Sequence, residues 1–464
     1  MQRIPLIASA ARGLTRREML RRLFLSAGAI GSARMLAACD NTLPSVQTGS
    51  PGGGSGAGGG AGRFANIGPL ADTPDELGFR LPTSPPGFSV RVVAESLVPP
   101  LSSQPDFLWP IFPDGAGIIG TDDGGWIYVV NSEVPGVGTL ANDSYIPQAS
   151  PVTSPIETFT PGLGGASCLK FNRDAQLTDA YNILSGTTFN CAGVITPWKT
   201  WLSCEEVNTG QVWECDPINK TAAVVRPALG SFDHEAIAVD MSKKMLYLTE
   251  DRSDSRFYRF VPSAADWPAG AERPKLKDGK LQVMKIVGGG NPLNGPQPVT
   301  WVDAQNPTAA QNVNRVPDTA TFDGGEGIWY FQGFVYFSTK GDNRIWVYDS
   351  VGETLEVIYD FGTAQAPNNI LSGVDNIFVT PQGDVLVAED GGDMQIVVIL
   401  PDRTLKPLLQ LTGQDGSELA GIAFSPDGRR MYFNSDRGGL FPNVPGAPGH
   451  GFGITYELTL PEGL

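Results

Sequence analysis

Residues 376–401 read NIFVTPQGDVLVAEDGGDMQIVVILP, and residues 421–438 read GIAFSPDGRRMYFNSDRG. Each gives a short apolar strand, a turn on Pro381–Gly383 or Pro426–Gly428, a second apolar strand and an acidic loop. The two units start 45 residues apart. Two earlier stretches, AIAVDMSKKMLYLTEDRSDSRFYRFVP (236–262) and GIWYFQGFVYFSTKGDNRIWVYD (327–349), follow the same plan. Four-stranded units recurring every ~40–50 residues predict an all-β closed propeller over 76–464. A β-sandwich is the competing architecture, but it seldom holds so many repeats. The last strand pattern, Gly453 to Leu458, closes the ring if it pairs with a strand near 88–94, which removes the open sheet edges. Residues 264–320, rich in Pro, Asn and Gly, read as a long insertion between blades, with strand-like runs at Leu281–Ile286 and Val299–Val302.

Outside the repeat, the N-terminus is basic. TRREMLR (15–21) and the apolar run Leu23–Ile30 have the pattern of a twin-arginine export signal over 1–38. LAAC (36–39) has the pattern of a lipobox, with Cys39 as the lipidated residue, and cleavage without lipidation is its alternative. Residues 39–75 then form a Gly-rich tether. This places the protein in the periplasm or at the cell surface, touching the membrane only through an N-terminal lipid. The net charge is −16, and −22 without residues 1–38, which carry seven Arg and one Glu. Such a chain lacks the Lys/Arg stripes that a nucleic-acid backbone requires. With two His in the whole sequence, any metal site rests on carboxylates, carbonyls and a Cys, a donor set suited to hard cations.

Acids stand where propeller loops converge on the axis. Glu133 follows the strand Trp126–Val130; Glu235, Glu326, Asp375 and Glu418 all stand just ahead of a repeat's first strand. Recurrence at one place in the repeat puts them on one rim. Like charges there repel by about 4 kcal/mol per pair at 4 Å and an effective dielectric of ~20, and bound cations relieve that. Separate turn-anchoring roles are the other reading of these acids. The stretch NCAGVITPWKTWLSCEE (190–206) adds the thiol of Cys191 and the pair Glu205 and Glu206. Alternation points those two carboxylates opposite ways. The residues alone leave two readings open: a metal ion shared by Cys191 and Glu206, or a buried structural thiol beside a polar strand end.

The 190–206 stretch resembles the segment N-C-A-G/N-G-x-T-P-W-G-T-W/Y-L-T-C-E-E of the PhoX-type alkaline phosphatases. The likeness extends in order over roughly 115–440. NSE (131–133) resembles that family's N-H-E, with Ser132 in place of His. FDHEA (232–236) resembles F-S-H-E-A, and TED…FYRFVP (249–262), EGI (326–328), VDN (374–376), ELAG (418–421) and SPDG (425–428) resemble its later motifs. The resemblance implies a six-bladed propeller and an exported, monomeric phosphatase acting on small phosphomonoesters. It implies an axial site with ferric iron (Fe3+) bridged by Cys191 and with calcium (Ca2+) alongside. Metal ligands would be Cys191, Glu133, Glu206, Glu235, Glu326 and Asp375, with Cys191, Glu206 and Glu326 at the catalytic centre. Three departures stand out. Val194 and Lys199 replace glycines, and Gly324 replaces an Arg that can hold substrate phosphate; Lys199, Arg252 and Lys340 are the cations available to substitute. Against the phosphatase stand another calcium-dependent hydrolase on this scaffold, a lactonase or phosphodiesterase, and a non-enzymatic propeller that binds a peptide or glycan.

Overall fold

The computed structural model describes residues 62–134, 164–438 and 453–464. Among these residues the repeats form six antiparallel blades of four strands, with Phe79–Arg80 a short fifth strand on the edge of blade 5. Blade 1 comprises Pro113–Gly120, Trp126–Ser132, Gly164–Phe171 and Leu177–Thr187; blade 2 comprises Asn190–Ile195, Trp201–Glu205, Val212–Cys215 and Val224–Val225. Blade 3 is His234–Asp240, Met245–Glu250, Tyr258–Pro262 and Gly279–Ile286; blade 4 is Gly325–Phe331, Phe334–Thr339, Arg344–Asp349 and Thr354–Asp360. Blade 5 is Val374–Val379, Val385–Glu389, Gln395–Ile399 and Leu405–Leu411. Blade 6 takes Leu419–Phe424, Arg430–Ser435 and Ile454–Thr459 from the C-terminal part and Ser89–Glu95 from the N-terminal part.

The first strands of the six blades neighbour one another in a closed ring around the axis. Closure occurs where the sequence places it, with register running from Ser89 opposite Thr459 to Glu95 opposite Ile454. The apolar alternation of the strands has a direct consequence. Every blade is covered on both faces, so six apolar clusters form, one at each junction between neighbouring blades. Tyr247, Phe337 and Trp346 fill the junction of blades 3 and 4, and Trp126, Tyr128 and Tyr432 that of blades 6 and 1. No helix among the described residues is long and apolar enough to cross a membrane.

Two boundaries move. Residues 62–75, read as tether, pack on the domain: Phe64 and Ile67 are fully buried between blades 5 and 6, and the Arg63 guanidinium donates to the carbonyls of Gly428 and Leu464. The apolar pair Phe64 and Ile67 sits directly after the glycine run, whose composition masks it. The insertion is also shorter than 264–320. Leu281, Val283 and Met284 are buried because Gly279–Ile286 is the fourth strand of blade 3 itself. Gln297–Asp303 then pairs with that strand on one side and with Thr354–Asp360 on the other, joining blades 3 and 4 at their outer edges. The signal region 1–38, Cys39 and the rest of the tether to residue 61 lie outside the described residues.

Candidate metal centre

A bulge opens the first strand of every blade. In blade 3, His234 pairs with Glu250 and Ile237 with Leu248, so Glu235 and Ala236 together face one residue, Thr249. The same two-against-one count occurs at 114–115, 191–192, 326–327 and 375–376. Such a bulge re-aims the side chain of its first residue. Those first residues are Asp114, Cys191, Glu235, Glu326 and Asp375. In blade 6 the bulge comes one residue later in the strand, at Gly421, where φ is +68° and a Cβ would lie 2.5 Å from the Asp114 carbonyl oxygen. Only glycine suits that place.

A second tier follows from the same register. The residue directly after the one paired with each strand's entry is Glu133, Glu206, Asp251, Lys340, Asp390 and Asp436 in blades 1 to 6. Five are acids and one is a lysine. Glu418, just ahead of blade 6, completes the cluster, and Arg437 follows Asp436. Ligand atoms come within 4.8 Å of one another in five triads: Asp114/Glu133/Cys191, Cys191/Glu206/Glu235, Glu235/Glu326/Asp375, Asp375/Asp390/Glu418 and Glu133/Glu418/Asp436. Shared members link these triads into one belt.

Side chains opposite the bulges hold the belt in place by bonding to the next blade. Asn131 of blade 1 donates to the carbonyls of Cys191 (3.2 Å) and Ala192 (2.8 Å) while its own oxygen accepts from Trp201 Nε1 and Ser203 Oγ. Thr249 of blade 3 donates to the Glu326 carbonyl at 2.6 Å, and Ser338 of blade 4 to that of Asp375 at 2.5 Å. Asn434 of blade 6 donates to the Asp114 carbonyl at 2.6 Å, tying the last blade to the first. Small residues, Gly115, Ala192, Ala236 and Gly327, follow the belt residues because neighbouring strands converge there; a Cβ on Gly115 would lie 2.4 Å from Ala192 Cα.

Electrostatically the belt is under strain. Both oxygens of the fully buried Asp114 carboxylate lack a hydrogen-bond partner, and Glu235, among acids on both sides, meets the Cys191 thiol as its donor. Burial, reinforced by neighbouring carboxylates, pushes Asp114, Glu206, Glu235 and Glu326 well above the ordinary carboxylate range, Glu133 up to about 8 and Asp375 to about 6. Burial, then Asp114, Glu235, Glu133 and Glu206, raises the Cys191 thiol as well. For Asp390 burial acts upward too, yet Lys340 and Arg437 outweigh it and hold its carboxyl below the usual range. A cation in the belt reverses the upward shifts, ionising the acids and the thiol together. Buried, unpartnered carboxylates beside one thiol form a donor set that fits hard cations.

All six residues singled out in the sequence, Cys191, Glu133, Glu206, Glu235, Glu326 and Asp375, lie in this belt. Glu205 points away, accepting from the Thr188 and Gln211 amides and Trp213 Nε1, as strand alternation requires. Of the candidate cations, Lys199 sits in the turn Thr196–Thr200 at the opposite end of its strand and pairs with Asp122 at 3.7 Å. Arg252 engages Asn208 at 2.9 Å and Asp254 at 3.2 Å. Only Lys340 enters the belt, with its Nζ 2.9 Å from Glu326 and 3.3 Å from Asp390. Sequence reasoning missed Asp114, Asp251, Asp390, Asp436 and Arg437. The endings NSE, CEE, TED, AED and NSD of the second strands were the available signal for four acids of the second tier besides Glu133 and for none of the first. Glu418, grouped by sequence with Glu235, Glu326 and Asp375, stands two residues ahead of their equivalent, Ala420.

Fold and site together define a six-bladed propeller with a thiol- and carboxylate-lined axial belt. The alkaline phosphatase PhoX family matches residues 161–212 and 207–439, and the chain belongs to that family. It is therefore a phosphoric monoester hydrolase of a metal-dependent family. Its fold is similar to that of Pseudomonas fluorescens PhoX in complex with vanadate, a transition-state analogue (17% identity, TM-score 0.64, 85% of this chain and 98% of the other). Weaker likenesses are the gluconolactonase XC5397 of Xanthomonas campestris (13%, TM-score 0.43, 85% and 98%) and a Bacteroides thetaiotaomicron protein of unknown function (9%, TM-score 0.45, 82% and 79%). No curated protein matches the sequence.

Proposed function

We propose that this phosphatase holds ferric iron and calcium in the belt, with Cys191 as the thiolate ligand and Glu133, Glu206, Glu235, Glu326 and Asp375, joined by Asp114, as carboxylate ligands. The observation that carries the reading is Asp114: a fully buried carboxylate with both oxygens unpartnered, within 4.8 Å of Glu133 and Cys191 ligand atoms. Bound metals supply Lewis acidity toward a phosphoryl group. The chain supplies the rest. Glu206 and Glu326, at the catalytic centre, fix the charge around the reacting group, and the blade-to-blade hydrogen bonds keep the belt from relaxing. Lys340 takes over the task of the Arg that Gly324 replaces. Its amide donates to the Gly324 carbonyl at 2.8 Å, and its ammonium orients phosphoryl oxygens above Glu326. Substrates are small phosphomonoesters, and the protein acts as a monomer.

Elemental analysis of the purified protein, paired with hydrolysis of p-nitrophenyl phosphate before and after chelation, tests this. Iron with calcium, and activity lost with them, is expected; calcium alone, or activity that survives full chelation, overturns the assignment. We further propose export by the twin-arginine route with lipidation at Cys39. Replacing Arg16 and Arg17 by Lys then leaves folded protein in the cytoplasm, and Cys39→Ala releases it from membranes; normal export or continued membrane association speaks against each.

A further inference from the structure

The belt is not uniform. Among the described residues no arginine or lysine forms an ion pair with Asp114, Glu133, Glu206 or Glu235. Over blades 5 and 6 the case is different. The Arg437 guanidinium lies 2.6 Å from Glu418, 3.2 Å from Asp436 and 3.3 Å from Asp390. With Asp375 and Glu133 those acids make up the two triads Asp375/Asp390/Glu418 and Glu133/Glu418/Asp436, whose ligand atoms lie within 4.8 Å of one another like those of the other three. One guanidinium spans both. It is also fixed from behind, since the Arg437 amide donates to Ser417 Oγ at 2.8 Å and Ser417 bonds Ser435. The same repeat position in blade 3 is Arg252, and its guanidinium reaches Asp233, the counterpart of Glu418, at 3.7 Å. There the stronger contacts go to Asn208 and Asp254.

We propose that Arg437 is a resident cation: its guanidinium takes the place of a divalent ion among Glu418, Asp390 and Asp436, and so confines metal loading to the arc from Asp114 to Asp375. A planar group with five N–H donors meets three carboxylates without the six to eight oxygen ligands that calcium requires. It also stays charged at any pH the protein meets, so this side of the belt remains neutralised when metal is scarce. The inference rests on the metal-dependent reading above.

The test compares the metal content of full-length wild type, Arg437→Gln and Arg437→Lys after dialysis against excess calcium, with calcium binding followed by calorimetry. Arg437→Gln is expected to hold one more calcium per chain than wild type, and Arg437→Lys, which keeps a charge, the wild-type number. An Arg437→Gln protein with the wild-type content or less overturns the inference while leaving the metal-dependent reading intact; a wild type without any metal overturns both. Should Arg437→Gln fail to fold, a crystal structure of the wild type in excess calcium decides. An ion bound among Glu418, Asp390 and Asp436 refutes the proposal, and the guanidinium alone among them supports it.

Discussion

Asp375→Asn changes the sign of its effect with metal. In the metal-free protein, burial is the largest influence on Asp375; Lys340 opposes it, Asp390 adds to it, and the outcome is a carboxyl raised from 3.8 to about 6. A folded-state value above the unfolded one means that the protonated group stabilises the fold. That contribution is complete below pH ~4 and is lost as pH rises through 6. Roughly two units at 1.36 kcal/mol each put the cost of the ionised form at about 3 kcal/mol above pH 6. Asparagine carries no charge, keeps an oxygen that can accept from Asn376 Nδ2 as Asp375 Oδ1 does at 2.8 Å, and leaves Lys340 its two carboxylates. In chelated protein the variant is therefore equal to wild type near pH 4 and about 3 kcal/mol more stable at pH 7. At about 2.1 cal/mol/K per residue over some 400 residues, that is a rise in Tm of roughly 3–4 °C. Under the proposed metal assignment the same change removes a ligand from loaded protein, weakens metal binding and lowers Tm. Differential scanning calorimetry between pH 4 and 8, with metal stripped or restored, reads both. A variant that is less stable than wild type in chelator at pH 7, or a difference that does not grow between pH 4 and 7, refutes the reasoning.

Other substitutions probe the scaffold and the thiol separately. Under the proposed assignment Cys191→Ala keeps the fold, at a cost of about 1 kcal/mol for the small space left, but loses iron and phosphatase activity together; circular dichroism alongside metal analysis checks it. Asn131→Ala leaves the buried Trp201 N–H and the Cys191 and Ala192 carbonyls without their partner, costing about 1–3 kcal/mol per unsatisfied group and loosening Cys191, so urea unfolding and iron content both fall. Gly115→Ala forces a methyl to 2.4 Å from Ala192 Cα and 2.9 Å from the Cys191 carbonyl oxygen; a loss of at least about 1–3 kcal/mol is expected in the same assay, and a neutral result shows that the blade 1–blade 2 contact is looser than described.

The propeller was legible because its units are local. Strand, turn and strand are neighbours in sequence, and their punctuation at Pro381–Gly383 and Pro426–Gly428 survives in the structure as hairpins of blades 5 and 6. The closing strand was legible for the opposite reason: an unpaired strand at each end of the repeat has one remaining partner, the other. Gly279–Ile286 was read as insertion because proline- and glycine-rich segments flank it, although its own buried residues carry the pattern of a blade strand. Asp114 escaped notice because Pro113–Gly115 reads as a turn, whereas here it opens a strand with a bulge.

The belt shows where such reading stops. Repeat position predicts the tier in which a side chain sits, since closure carries equivalent positions to equivalent radii. It does not predict which acid meets which cation, because contacts within a tier run between blades and depend on how neighbouring strands are offset. Lys340 and Asp390 are fifty residues apart in sequence and occupy the same place in adjacent repeats, and their 3.3 Å contact exists only because blades 4 and 5 stand side by side. Glu418 makes the complementary point. It stands just ahead of the strand entry Leu419, as Asp233 stands ahead of His234, so Ala420 holds the first-tier place and the Glu418 carboxylate meets Arg437 at 2.6 Å. The gathering of Glu418, Asp390 and Asp436 around one guanidinium thus depends on how blades 5 and 6 meet, a feature that composition and spacing alone do not resolve.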